Sequence, residues 1–430
     1  MSEPDFRDAL PDGPAHRRGA GLNPGNRFEA NRVHVRGEEW DRQRAEREAE
    51  DAERRDAGMT KSGPKRVELT VVPDQTVRVI NRVDRSSDVP FDWTLNPYRG
   101  CEHGCIYCFA RPYHEYLGYS CGLDFETKLV AKFDAPELLK RELAKPSWTG
   151  EPIVMSAITD IYQPIEKKYE LSRRCLEVLA DCGQATSTMT KNTLVLRDLD
   201  LWQKLGHQNA GRVIVTLVTL DDELAGRLEP RASPPSARLR IIRELVKARI
   251  PVGVNIAPVI PGLTDTEIPA LLEAVADAGA KRVAWVLLRL PYQIKDLFLD
   301  WLDRNVHPDR ARKVESLIRQ ARGGKLYQAG QRGGRPELKR QRMRAESLLN
   351  NHRPRSHDRP SDDSVIKLVQ SRPSRSHDRR RGDGHHADQI RRVFDVYTRR
   401  LGLNRDVRPM NTRAFTRPSL HGQLGLFGGG

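Results

Sequence analysis

Between residues 90 and 290, short β-branched runs alternate with helix-length segments, and this alternation constrains the fold more than any other feature of the chain. The strand candidates are Phe91–Leu95, Ile153–Ala157, Thr186–Thr190, Val213–Val218, Val252–Ala257 and Arg282–Leu288. Between them the spacing predicts helices over Ala135–Ala144, Tyr169–Cys182, Leu199–Gly206, Pro235–Ala248 and Glu267–Ala278. In the second of these, Leu171, Cys175, Val178 and Leu179 share one face, and Ser233 stands near Pro235 as a capping candidate for the fourth. Strands alternating with helices build an α/β fold, a parallel sheet with helices outside. Spacing alone does not separate a partly closed barrel from a doubly wound sheet. Two further β-branched runs, Val67–Val72 and Thr76–Ile80, precede this region.

Just after the first strand candidate comes Cys101-Glu-His-Gly-Cys105-Ile-Tyr-Cys108. Three thiolates this close can bind one soft metal centre from a single loop. A four-iron cubane normally takes four protein thiolates, so three leave one iron open to another ligand. The competing reading is zinc, because Cys105 and Cys108 have the spacing of half a zinc site. Completion would need His103 or His114, since Cys121, Cys175 and Cys182 form no second close pair. Six cysteines in 430 residues are too few and too clustered for a disulfide framework and read as metal-binding in a reducing compartment.

At this loop the chain resembles the radical S-adenosylmethionine (SAM) superfamily. Asn96-Pro-Tyr-Arg-Gly100 and Cys108-Phe-Ala-Arg-Pro112 are similar to its spore photoproduct lyase-like branch. The resemblance implies a partial (β/α)6 barrel with the cluster loop after the first strand. It implies a [4Fe-4S] cluster on Cys101, Cys105 and Cys108, SAM on the open iron, and one-electron cleavage of SAM to a hydrogen-abstracting radical, with a flavodoxin or ferredoxin as reductant.

The same resemblance suggests SAM contacts. Asp160, within Thr159-Asp-Ile-Tyr-Gln-Pro-Ile-Glu166, would face the SAM ammonium, and Lys191 the carboxylate. Thr216 and Thr219 would reach the ribose or methionine portion. Tyr107 and Ile256 would lie against adenine, and Arg231 would face SAM or substrate. Asp160 and Pro164 are also explained as turn formers, and Asp221 and Asp222 as helix caps. The branch's downstream hydrogen-donor cysteine has no counterpart here, which places repair of the spore thymine dimer by that route in doubt.

Net charge is +15, yet residues 331–430 alone hold 23 Lys+Arg against 10 Asp+Glu. A basic segment of this kind attracts phosphate backbones and also suits a merely solvated tail. Four regions are expected: a disordered charged extension over 1–65, the radical SAM core over 66–305, a basic low-complexity region over 306–388 with a repeated Arg/Ser/His/Asp segment, and a helix and tail over 389–430. Gln423–Phe427 resembles the bacterial sliding-clamp-binding peptide, with Gly425 as its departure. No apolar leader or bilayer-length run is seen, so a cytoplasmic protein is expected. The leading expectation is a radical SAM enzyme acting on nucleic acid, as a DNA repair-like lyase. The alternatives are a radical SAM enzyme with a protein or small-molecule substrate, or a zinc-containing nucleic-acid-binding protein without catalysis.

Overall fold

In a computed structural model, which describes residues 17–28, 67–84, 89–327, 380–382 and 384–419, ten strands form two sheets. They are β1 (Thr70–Pro73), β2 (Ile80–Arg82), β3 (Trp93–Leu95), β4 (Tyr98–Arg99), β5 (Lys128–Ala131), β6 (Ile153–Met155), β7 (Thr186–Thr190), β8 (Gly211–Leu217), β9 (Val252–Val259) and β10 (Arg282–Leu287). The large sheet runs β10-β9-β8-β7-β6-β3-β2. Its six strands from β3 to β10 pair in parallel in chain order, and β2 lies antiparallel on the β3 edge. The two end strands of this parallel set, β3 and β10, are not paired with each other, so the (β/α)6 barrel is partial, as the alternation and the resemblance together predict.

The helices that matter here are α1 (Ala135–Leu143), α2 (Leu171–Asp181), α3 (Leu199–His207), α4 (Asp222–Leu228), α5 (Pro235–Lys247), α6 (Ile268–Asp277), α7 (Ile294–Asn305), α8 (Pro308–Gln320) and α9 (His385–Arg400). Strand side chains alternate between faces. Val213, Val215 and Leu217 on β8, Val254 and Ile256 on β9, and Val283, Trp285 and Leu287 on β10 join the main core. In the paired registers the alternate residues Ile214, Thr216, Gly253, Asn255 and Ala284 therefore line the barrel interior. Ser233 does not cap α5: its hydroxyl accepts from Thr193 N at 3.0 Å, and Pro234 holds the cap position. Asp221 does cap α4, accepting from Glu223 N and Leu224 N.

Two segments depart from the expected boundaries. Residues 17–28, inside the stretch expected to be disordered, pack against the cluster loop, with Ala20 fully buried. Gly19 N and Ala20 N donate to the two carboxylate oxygens of Glu126, each at 3.0 Å. A polar composition did not reveal this, because the segment docks largely through backbone and polar groups, with Ala20 and Leu22 joining an apolar cluster. The ordered core also extends past residue 305. Ala311, Val314, Ile318 and Ala321 are buried, and their helical spacing was readable.

Beyond α9 the chain runs across the amino ends of the strands. Asn404 brackets Val283, its side chain accepting from Val283 N and donating to Val283 O, both at 2.9 Å. Asn411 N then donates to Asn209 O, and Thr416 N to Cys182 O. The repeated Arg/Ser/His/Asp segment and Gln423–Phe427 lie outside the described residues. Among the described residues no helix is long and apolar enough to cross a membrane.

Candidate active site

The cysteine loop sits at the carboxyl end of β3, where ligands bind in parallel α/β folds. It begins after β4, which pairs antiparallel with β5, a short strand not foreseen from sequence. Gly100 and Gly104 bend it with φ of 79° and 70°. A Cβ on Gly104 would stand 2.9 Å from Glu126 Oε2 and 3.2 Å from Gly19 N. Only glycine suits both the left-handed backbone and that space.

The loop is held mainly by its backbone. Cys101 N donates to Phe125 O and Ile106 N to Leu228 O. Glu102 N donates to Gln163 Oε1 at 2.9 Å. Arg111, fully buried, donates to Cys105 O at 3.0 Å, to Cys121 O and Gly122 O, and to Glu126 Oε1 at 2.6 Å. One guanidinium and one carboxylate thus tie the loop to residues 17–28 and 121–126. Arg111 stands in the quoted Cys108–Pro112 stretch, but no local signal marks Glu126 as its partner.

The three thiols are free, with Cys101 and Cys105 buried and Cys108 more open. Burial pushes the Cys101 and Cys105 thiols well up. Asp160 adds to this for Cys101, and Glu229 for Cys105. Thiols in such a setting ionise only where a strongly positive centre takes them as ligands. Three sulfur donors with no nitrogen or oxygen partner fit an iron–sulfur cluster on Cys101, Cys105 and Cys108. The zinc reading fares worse. His103 Nε2 bonds Asn192 Nδ2 at 3.0 Å and its Nδ1 lies 3.4 Å from Asp160. His114 packs against Tyr119 and Phe125. Among the described residues no three His, Cys, Asp or Glu side chains gather as a single ion requires.

Around the loop the structure brings Tyr107, Lys191 and Arg231 together with two carboxylates. Tyr107 OH donates to Glu229 Oε1, and Arg238 Nη2 to Glu229 Oε2. Lys191 Nζ lies 3.6 Å from Glu229 and 6.0 Å from the Tyr107 ring centre. Burial lowers the Lys191 ammonium and raises the Glu229 carboxyl, the latter against the pull of Arg238. Arg231 Nη2 pairs with Glu102 Oε2 at 2.7 Å. Glu229 is the hub of this group, although it stands only two residues before Arg231 and no local signal marks it.

Asp160, Thr219 and Ile256 are placed differently from the expectation. Both oxygens of Asp160 are taken: Oδ1 accepts from Tyr162 N and Thr190 Oγ1, and Oδ2 from Lys191 N and Thr190 Oγ1. It bolts the end of β6 to the end of β7, the turn-forming role. Its neighbours in the signature do similar work. Thr159 Oγ1 donates to Gly100 O at 2.6 Å, and Glu166 accepts from Tyr98 OH at 2.6 Å. Thr219 Oγ1 donates to the Glu267 carboxylate at 2.7 Å, so it joins β8 to the start of α6. Ile256 points into the helix-side core, because its strand parity is that of Val254. Thr216 keeps interior parity, and its carbonyl accepts from Arg238 Nη1 at 3.0 Å.

Among the buried acceptors that lack a hydrogen-bond partner, two belong to the cluster loop and the barrel interior: Glu102 Oε1, and Asn255 Oδ1 on the interior face of β9. Unpartnered buried oxygens are costly without a donor. The N–H groups of a bound SAM molecule are donors of the right kind for them. Sequence reading passed over Asn255, although it directly precedes Ile256.

His114 supplies a pH signature. Burial pushes its imidazole down to about 4. The unfolded chain then binds more protons than the folded one between the ordinary histidine value near 6.5 and about 4. Stability is fully present above that window and is lost as pH falls through it, by up to on the order of 3 kcal/mol. Thermal unfolding scanned from pH 7 to 5 checks this: burial lowers His103 to about 4 as well, so His114→Phe reduces the slope and leaves the share of His103.

A family model described as the radical SAM superfamily matches residues 95–275. An uncharacterized protein of Mycobacterium tuberculosis (strain ATCC 25618 / H37Rv) is 38% identical over 242 residues, spanning 56% of this chain and 71% of the relative. An uncharacterized protein of Methanocaldococcus jannaschii is 31% identical over 175 residues, spanning 41% of this chain and 63% of the other. Among solved structures, a spore photoproduct lyase complexed with dinucleoside spore photoproduct is 15% identical, with a TM-score of 0.44 over 59% of this chain and 74% of that one.

Proposed function

Because the chain belongs to the radical SAM superfamily, whose members bind a [4Fe-4S] cluster and SAM, we propose that it is an enzyme initiating radical chemistry on a nucleic-acid substrate, in the manner of a DNA repair-like lyase. The observation that carries the radical part is the buried loop of Cys101, Cys105 and Cys108 at the carboxyl end of the first parallel strand. The nucleic-acid part rests on the excess of 23 basic over 10 acidic residues in 331–430.

When bound, the cluster and SAM supply one-electron reductive cleavage and a hydrogen-abstracting radical. The chain's own residues hold that chemistry in place. Arg111 and Glu126 fix the loop, and Glu229 anchors its Tyr107. Lys191 is the cation available to a carboxylate of SAM, and Glu102 and Asn255 offer acceptors to its N–H groups. Asp160 acts as a positioning residue, setting Lys191 by its bond to the Lys191 backbone. The surrounding burial keeps water from a reactive intermediate. The electron comes from a flavodoxin- or ferredoxin-type donor, and the tail at Gln423–Phe427 is a proposed sliding-clamp ligand. Equal clamp retention of wild type and Phe427→Ala would remove the clamp partner.

Anaerobic reconstitution followed by SAM cleavage with and without ultraviolet-damaged DNA tests the proposal. The expected result is 5′-deoxyadenosine from the reduced protein, with severalfold more when DNA is present. Turnover indifferent to DNA would move the substrate to a protein or small molecule. Reconstituted protein that holds iron and still makes no 5′-deoxyadenosine would defeat the radical assignment.

A further inference from the structure

Six large aromatic side chains are exposed among the described residues, and five of them belong to one region: Phe28, Phe109, Tyr113, Tyr116 and Tyr292. Phe109, Tyr113 and Tyr116 come from the turn that directly follows Cys108. Tyr292 follows the carboxyl end of β10, at the same mouth of the barrel. Scattered exposed rings need no explanation, but a concentration beside a reactive site does.

Arg27 organises this group. Its guanidinium carbon lies 3.9 Å from the Tyr292 ring centre, 4.7 Å from Phe28 and 5.8 Å from Tyr116. Phe28 and Tyr116 are 4.9 Å apart, and Tyr113 and Tyr116 6.3 Å. Buried Glu115 holds Arg27 from behind, at 2.9 Å from Nε, and also accepts from Arg27 N. Tyr292 has φ of 54°, an unusual backbone for a bulky residue, which the surrounding structure sustains. Arg289 adds positive charge beside Tyr113. The same turn carries Arg111, which bonds Cys105 O, so the patch is rigidly coupled to the cluster loop.

We propose that Phe28, Tyr113, Tyr116 and Tyr292, gathered around Arg27, form a platform on which unpaired bases of a nucleic-acid strand stack beside the cluster loop. Every base offers a flat π-face, and aromatic rings interleaved with guanidinium groups are what such faces pack on. The positive charge complements the phosphates between the bases. An aliphatic protein surface would find no matching aliphatic groove among these residues. The inference rests on the nucleic-acid reading above and names where that strand is held.

The test uses full-length, cluster-loaded protein and two fluorescent probes of equal length, a thymidine oligomer and its fully abasic counterpart, followed by anisotropy at near-physiological salt. Wild type is expected to prefer the base-bearing probe. Tyr116→Ala and Phe28→Ala each weaken that probe by roughly 5- to 100-fold and leave abasic binding, which reports the basic tail, unchanged. Tyr116→Phe keeps the ring and the affinity, and an unaltered unfolding midpoint certifies that the alanine variants are folded. Equal binding of the two probes by wild type, or alanine variants that match wild type, overturns the platform. If DNA still stimulates SAM cleavage in that event, the nucleic-acid reading survives without the platform. If neither probe binds and DNA does not stimulate, both fall.

Discussion

Alanine in place of Cys101, Cys105 or Cys108 is expected to leave a folded protein that neither binds iron nor cleaves SAM. The loop does not depend on its thiols for shape. Its backbone is fixed by Phe125 O, Leu228 O and Gln163 Oε1, and its bends by Gly100 and Gly104. Far-ultraviolet dichroism therefore survives the substitution while the broad visible absorption of the cluster disappears. Losing an outer partner of a metal ligand already costs about 10- to 100-fold, so losing a ligand should exceed 100-fold in SAM cleavage. Cys121, Cys175 and Cys182 provide the contrast. Cys175 and Cys182 belong to the main core and Cys121 to a second apolar cluster, so alanine there alters stability and spares iron content. Full iron and turnover in any one of the three loop variants would sink the assignment.

Glu126→Ala is expected to damage the protein more deeply than any surface change. Its carboxylate is wholly buried and takes Arg111, Gly19 N and Ala20 N at once. Removing it strands a guanidinium that is itself wholly buried, a situation that costs about 3–5 kcal/mol. Against a total stability on the order of 5–15 kcal/mol, that is a large share. The loss is local in origin, because Arg111 is also the donor to Cys105 O. Iron retention under anaerobic dialysis should fall together with the unfolding midpoint. Glu126→Gln, which keeps the shape and an acceptor, is expected to lie between wild type and alanine. An alanine variant with unchanged midpoint and iron content would show that the loop is held by something else.

Much of this was readable in one dimension. The six parallel strands fall within a few residues of their expected ranges, because β-branched runs bounded by turns carry their own period. The three-cysteine loop is equally local, since its ligands lie within eight residues. The SAM-contact set was legible only in part. Asp160 and Thr219 look like ligands from their place at strand ends, yet their oxygens are spent on Thr190, Lys191 N and Glu267. Ile256 is expected beside the cofactor from its place on the fifth strand, and its strand parity turns its side chain toward the helices.

By itself the sequence determined the alternation that builds the barrel, the loop that can bind a cluster, and the basic carboxyl-terminal excess, since each depends on residues near one another in the chain. Only the tertiary structure decided which carboxylates serve the loop, that residues 17–28 close over it, and that Arg27 meets Tyr292. Those partners are separated by tens to hundreds of residues. A buried charge is satisfied by whatever group the packing delivers to it, and no local pattern announces a partner that distant.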